Sequence, residues 1–434
     1  MRTITKFSIS EEPKFKEKLF RWGKQFEELV YLDSNRNEHL YNDFEAIMAV
    51  EAFTALKTDD HLAFDSLEDY QSTTKDWLFG YFSYDLKNDT EAISSKNDDL
   101  LDFPELYFIQ PKKIWFIKGD YAEAHYLNLV DDEIESDFSA IRHTKLTQTN
   151  YSWYPFSPQW TKEEYIDKAD SILKHILRGD IYEVNFCQAF SANNLNIDAH
   201  STFEHLNLKS KAPFSSFFQV ENFHALCASP ERFLKKQGDT LISQPIKGTS
   251  KRGTSTTEDD LLKQNLSDDP KEISENVMIV DLVRNDLSKT AIKNSVEVEE
   301  LCKVYTYEQV HQMISTITSK VKPEVTVTEI IKSLFPMGSM TGAPKLSAMQ
   351  IAETYESTKR GLYSGSIGYI TPENDFDFNV VIRTLLYNSE REHLSYMVGS
   401  ALTAQADPEK EYEECLVKGK ALQYVVNATA VTED

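Results

Sequence analysis

Two pairs of glutamates stand out first, because each pair is set one helical turn apart. The stretch Lys271–Asp281 reads as a helix with Glu272 and Glu275 on one face, and Asp407–Lys418 sets out Glu411 and Glu414 in the same way. Like charges at that spacing repel, so neither helix gains from them unless a cation lies between. Two such faces meeting would offer hard carboxylate oxygens to Mg²⁺, directly or through water. A solvated acidic face is the competing meaning of each pair, since the chain carries a formal net charge of −24.

A second group is a lysine in a tight segment. Lys247 stands between Pro245-Ile246 and Gly248-Thr249, where a side chain has little room to wander. A lysine with its ordinary pKa of about 10.4 is protonated at neutral pH and a poor nucleophile. Desolvation and the neighbouring cations Lys251 and Arg252 are expected to lower that value. An ordinary turn lysine on the surface is the competing reading. The stretch Phe335–Lys345 looks at first like a phosphate loop, but its glycines and lysine lack the GxxxxGK[ST] spacing, and Pro344 removes an N–H beside Lys345. It is expected to be an anion-binding turn and not an ATP site.

The elements that must hold these groups are legible in outline. Thr161 can cap a helix, Glu164 completes a capping box, and Tyr165, Ala169, Ile172, Leu173, Ile176 and Leu177 recur at helical spacing up to Gly179. A strand over Ile181–Phe190 follows, and aromatic strand-like runs precede it at Leu78–Tyr84 and Ile114–Ile117. Strands and helices do not alternate in a βαβ rhythm and no GxGxxG follows a strand. The expected fold is therefore α+β, with large, mostly antiparallel sheets packed as a sandwich and helices outside. The polar stretch Thr147–Pro158 is the candidate linker between residues 1–146 and 158–426.

With 434 residues, 41% of them hydrophobic, the chain can bury a sizeable core. Its acidity argues against nucleic acid or an anionic membrane as partner, and requires that any anionic substrate be met by local cations. The first residues have no apolar signal region, and no apolar run is long enough to span a bilayer. Four dispersed cysteines, Cys187, Cys227, Cys302 and Cys415, suit a reducing cytoplasm and offer no CxxC zinc motif.

From Trp160 to Val426 the motifs together resemble the chorismate-utilising enzymes, among them component I of anthranilate and aminodeoxychorismate synthases and the isochorismate and salicylate synthases. The matching blocks are Gly179–Asn185, Ser229–Phe233, Gln244–Gly253, Asp281–Leu287, His311–Thr316, Phe335–Lys345, Tyr363–Gly368 and Ile382–Thr384, with the acidic C-terminal helix, in the family's order. The resemblance implies an anthranilate synthase component I-like fold and chorismate as substrate. It implies Mg²⁺ held by Glu275 and Glu414, with Glu272 and Glu411 one water further out. Arg383, Tyr363, Lys418, Thr249, Thr341 and the backbone around Gly399 and Ser400 match substrate-binding positions, and His311 matches a histidine lining the same site. Glu231 matches a carboxylate beside the 4-hydroxyl, where a general acid is needed.

Within that family, the water-adding enzymes carry a general-base lysine where this chain has Glu183, and anthranilate synthases have alanine where Lys247 stands. The resemblance thus favours an aminodeoxychorismate synthase, in which Lys247 adds to C2, ammonia attacks C4, and a separate glutamine amidotransferase supplies the ammonia. Anthranilate synthase component I is the alternative, and a non-catalytic binder of chorismate or tryptophan a second. Residues 1–146 resemble the family's first domain at Leu32-Asp33-Ser34 and Gly80–Asp85; near such segments relatives hold tryptophan, while simple sheet packing is the competing reading. Two departures are Ala401, where relatives have glycine, and Glu183, where glutamine is commoner.

Overall fold

The computed structural model describes residues 1–37, 41–146 and 155–427, apart from the side chains of 421 and 424–427. Its named strands pair antiparallel throughout. One layer runs laterally through the strands Glu183–Ala192, His393–Thr403, Thr384–Asn388, Phe223–Ser229, Phe214–Val220, Leu29–Asp33 and Ala46–Thr58. The other runs through Leu78–Phe82, Ser366–Ile370, Phe376–Asn379, Arg232–Gln237, Thr240–Gln244 and Val310–Lys320. The strand Leu106–Lys118 joins them: its first half pairs with Leu78–Phe82 and its second half with Tyr121–Leu127, while Ala46–Thr58 lies along its other edge.

Alternation of side chains explains why two layers form. On the strand Leu29–Asp33, Val30 enters one apolar cluster while Leu29 and Tyr31 enter another; Ile47 and Ala49 part from Met48 and Val50 in the same way, as do Ile114 and Phe116 from Trp115 and Ile117. The first cluster takes in residues of both layers and of the helices Ala63–Thr74, Pro270–Ser288 and Val327–Leu334. The second lies under outer helices that include Phe15–Gly23, Lys162–Arg178 and Ala199–Ser210. This is the expected α+β architecture. Residues 1–146 do not form a sheet of their own, because Leu32 pairs with Ser216 and Gly80 with Gly368. Of the expected linker, residues 147–154 lie outside the described residues, and Ser157-Pro158 already pairs with Phe190 and Ser191.

Local expectations meet the structure with small corrections. The helix Lys162–Arg178 has Thr161 as its cap, the full capping box with Glu164, and Gly179 at its end. Leu177, expected on its buried face, is 75% exposed, since the buried stripe runs through Tyr165, Ala169, Ile172 and Ile176 and leaves Leu177 to one side. The following strand is Glu183–Ala192, displaced two residues toward the C-terminus. Among the described residues no helix is long and apolar enough to cross a membrane.

Candidate active site

Lys247 lies on the strand Ile246–Lys251, which packs against the helix Pro270–Ser288. The close approach is fixed by Gly248. Its φ of +90° is one that L side chains rarely adopt, and a Cβ there would stand 3.0 Å from Glu272 Oε2 and 3.1 Å from Leu266 Cδ1. Lys247 therefore faces a helix that carries carboxylates. Its Nζ donates to Glu183 Oε1 at 2.9 Å, with the two side chains 14% and 3% exposed. Burial pulls the ammonium toward neutrality, but Glu183, Glu275 and Glu231 together outweigh it and hold the pKa above its ordinary value.

The sequence reading expected Lys251 and Arg252 to lower this pKa, and the structure reverses that. The Arg252 guanidinium is spent on Asp259 at 2.7 Å, and the charges that govern Lys247 are carboxylates. In the resting site the lysine is a cation.

Glu231 follows the strand Phe223–Ser229, its N–H donating to Ser229 Oγ at 3.2 Å. Burial pushes its carboxyl up to about 7, although the Ser339 hydroxyl, the Lys247 ammonium, the Ile246 N–H and the Arg383 guanidinium all favour the ionised form. A carboxyl so poised can give a proton near neutral pH. Arg383 has a left-handed φ of 51° at a bend before the strand Thr384–Asn388. It keeps solvent-accessible surface, yet burial draws its pKa down with only the Glu231 carboxylate opposing. Both observations fit a guanidinium lining a cleft, and among the described residues that guanidinium has no ion-pair or hydrogen-bond partner. An unpaired cation at a strained position is suited to an anionic ligand.

The paired glutamates also converge. The helices Pro270–Ser288 and Pro408–Asn427 bring Lys271 within 3.8 Å of Glu275 and 4.0 Å of Glu411. Burial and mutual repulsion raise Glu272 and Glu411, and burial raises Glu275. Glu414 is held low against its burial by Lys418, whose Nζ lies 2.8 Å away. The four carboxylates thus form one negative locus, partly offset by two lysines. Among the described residues no three such groups stand close enough to close around a metal ion as they lie. The donor chemistry, hard oxygens in mutual repulsion, fits Mg²⁺.

Other expected site residues are differently engaged. Lys418 donates to the Gly399 carbonyl at 2.8 Å as well as to Glu414, so its charge is already shared. The Ser400 hydroxyl meets Tyr165 Oη at 2.9 Å. Tyr363 is buried and hydrogen-bonded to the Cys187 thiol. His311, 1% exposed, is tied to Asp259 at 2.9 Å and to Thr306 at 3.0 Å. Thr249 lies opposite Gln312 on the strand that bears Lys247, and the Thr341 hydroxyl is turned to the carbonyls of Met337 and Gly338. Ala401 faces Asn185 across the ladder.

In the turn at Phe335–Lys345 the lysine side chain is already engaged. Lys345 Nζ is neutralised by Asp286 at 2.6 Å and capped by the Leu334 carbonyl, because the turn is a brace for the Glu183 strand. Gly342-Ala343 pairs with Val184 and Glu183, and Gly342, at φ +149°, would put a Cβ 2.2 Å from the Glu183 carbonyl oxygen. Sequence reasoning missed three participants: Glu183 as partner of Lys247, Lys271 among the carboxylates, and Ser339 on Glu231. Only Glu183 left a signal, as a departure from the motif. A separate pocket is lined by Leu32, Asp33, Ser34, Phe44, Phe214 and Tyr369, where Asp33 pairs with Lys16 at 3.0 Å.

The fold is similar to that of anthranilate synthase component I from Streptococcus pneumoniae TIGR4, with a TM-score of 0.78 at 21% identity over 89% of this chain and 93% of the other. It is also similar to MenF, the menaquinone-specific isochorismate synthase from Escherichia coli, with a TM-score of 0.79 at 15% identity over 98% and 95% of the two chains. A family model described as chorismate binding enzyme matches residues 21–424, and the chain belongs to that family. It is 37% identical to the chloroplastic aminodeoxychorismate synthase of Arabidopsis thaliana over 69% of this chain, and it spans only 33% of that relative's length. It is 32% identical to aminodeoxychorismate synthase component 1 of Klebsiella aerogenes over 78% of this chain and 74% of the relative. Anthranilate synthase component 1 of Lactococcus lactis matches at 30% over 79% and 77%.

Proposed function

We propose that this chain aminates chorismate at C4, giving 4-amino-4-deoxychorismate, the precursor of 4-aminobenzoate and folate. The observation that carries the reading is Lys247, a largely enclosed lysine hydrogen-bonded to Glu183 and within electrostatic reach of both Glu231 and Glu275. Similarity to proteins named aminodeoxychorismate synthase supports it. Ammonia, supplied by a separate glutamine amidotransferase, is the nitrogen source.

In this mechanism Arg383 receives a substrate carboxylate. Glu275 and Glu414, with Glu272 and Glu411 beside them, would hold Mg²⁺, which when bound neutralises a carboxylate of the dianion. Glu231 protonates the departing 4-hydroxyl, which leaves as water while the Lys247 amine bonds to C2. Ammonia then bonds to C4, the lysine–C2 bond breaks, and the surplus proton on nitrogen returns to Glu231. The enolpyruvyl group stays in place. The pocket at Leu32, Asp33 and Ser34 is proposed to take tryptophan, supported by its mixture of aromatic and carboxylate lining.

The relatives named anthranilate synthase support a second reading, which leaves Lys247 without a role. Purified protein with chorismate, Mg²⁺ and an ammonium salt, analysed by mass spectrometry, decides between them. A product that retains the enolpyruvyl group and yields 4-aminobenzoate only with an added lyase is expected; anthranilate overturns the proposal. Substituting Glu275 and Glu414 together is expected to remove Mg²⁺-dependent turnover, and intact turnover would refute the metal assignment.

A further inference from the structure

Glu183 is a charge placed where burial makes charge expensive. Its side chain is 3% exposed, Oε1 is taken by Lys247, and Oε2 is buried with no hydrogen-bond partner among the described residues. A carboxylate placed in this way has Oε1 in direct hydrogen-bonding contact with the ammonium and no other group competing for it among the described residues. The position is rigidly set. Glu183 lies between Ala343 on one strand and Thr403 on the other, and Gly342 presses against its carbonyl. Lys247, for its part, has no other ion-pair partner among the described residues.

These facts bear on a difficulty in the lysine chemistry. The ammonium of Lys247 has no lone pair to offer, and the groups that face it from each neighbouring element all keep its proton on. They are Glu183 on its strand, Glu231 beside the strand Arg232–Gln237, Glu275 on the helix Pro270–Ser288 and, further away, Glu414 on the C-terminal helix. Glu275 and Glu414 are committed to the negative locus between the helices, and Glu231 is needed as an acid. Glu183 alone is within hydrogen-bonding distance.

We infer that Glu183 is the proton acceptor that releases Lys247 for attack, making the two residues a single proton-sharing unit. The inference rests on the proposed covalent role of Lys247. The step balances without any further reagent. The Nζ–H bond breaks and an O–H bond forms on Glu183, which leaves a neutral carboxylic acid beside a neutral amine. The freed lone pair bonds to C2 as the C4–O bond breaks and the oxygen leaves as water with the Glu231 proton. When ammonia has bonded to C4 and the lysine–C2 bond breaks, the amine takes its proton back from Glu183. No net charge is created inside the site when the proton moves from lysine to glutamate, which is the economical route where the medium is poorly polarisable.

Such a unit leaves a signature in pH. The ion pair and the neutral pair hold the same number of protons, so internal transfer supplies nucleophile at every pH at which the pair is intact. In Glu183→Gln the proton must go to solvent, and the neutral lysine fraction rises about tenfold per pH unit below the lysine pKa. Removing Glu183 takes away one group that raises that pKa, but Glu275 and Glu231 remain. Amination rates of parent and variant are to be measured at constant free ammonia and saturating Mg²⁺ between about pH 6 and 9. The expected result is a variant-to-parent ratio that climbs with pH by about tenfold per unit.

Glu183→Asp keeps the carboxylate, and its ratio to the parent is expected to stay level even if its rate is low. A level ratio for Glu183→Gln overturns the inference, as does a climbing ratio for Glu183→Asp. Lys247→Ala is run alongside. If it still aminates C4, the covalent lysine and this inference fall together; if it is inactive and the Glu183→Gln ratio is level, only the role of Glu183 is lost.

Discussion

Glu231 gives the sharpest test of the site. Its carboxyl titrates at about 7 because burial outweighs the four groups that favour its ionised form. A general acid works only while protonated, so its contribution is full below this pKa and is lost as pH rises through it. One unit above, the acid fraction is about a tenth, and two units above it is about a hundredth. With chorismate and Mg²⁺ saturating and free ammonia held constant, initial rates followed by product mass spectrometry should descend along that limb. Glu231→Gln keeps the shape of the side chain but has no proton to give, and should lower the plateau by about a hundred- to ten-thousandfold. The limb should vanish with it. Ser339→Ala removes a hydrogen bond that lowers the Glu231 pKa, so its limb should move to higher pH while activity persists. A limb that survives in Glu231→Gln would refute the reasoning, because some other group would then be titrating.

Arg383 has no protein partner among the described residues and sits at a left-handed φ, so Arg383→Ala should leave the urea-unfolding midpoint unchanged or raise it. The same substitution should raise the KM for chorismate roughly thirtyfold, the equivalent of about 2 kcal/mol for one lost charged hydrogen bond; a lowered midpoint with normal KM would make the residue structural. Gly342→Ala should destabilise the chain by at least about 1–3 kcal/mol in denaturant unfolding, since its Cβ would enter the Glu183 carbonyl at a φ reserved for glycine. All four cysteines are free and all but Cys302 are buried, so a thiol reagent should titrate at most one site in the native protein and four after denaturation.

How much of this was legible in advance follows from the range over which each feature is determined. The capping box at Thr161 and Glu164 is local, and the helix begins where the residues say it should. The α+β class follows from the absence of alternation, and the motif residues Lys247, Glu231 and Glu275 do gather in one place. Electrostatic signs were not legible. Lys251 and Arg252 adjoin Lys247 in sequence, yet Arg252 turns away to Asp259, while Glu183 arrives from a different strand. The ion pair of Lys345 with Asp286 was not legible either, because the two residues are remote in sequence. The separation at Thr147–Pro158 was visible as polarity, but the sharing of both sheets by the flanking segments depends on pairings such as Gly80 with Gly368, which no local pattern encodes.

That sharing has a consequence for how the chain comes into being. Pairings between its first and last parts give it a high contact order, which slows folding because long loops must close before the contacts reward them. During synthesis the strand Leu78–Phe82 emerges long before Ser366–Ile370 exists to cover its edge. Its sequence, Leu-Phe-Gly-Tyr-Phe, is uncharged and rich in strand-forming residues, the composition that associates with other chains when an edge stays open. One edge of that strand is covered early, by Leu106–Lys118, and the other stays open until nearly the whole chain has been made.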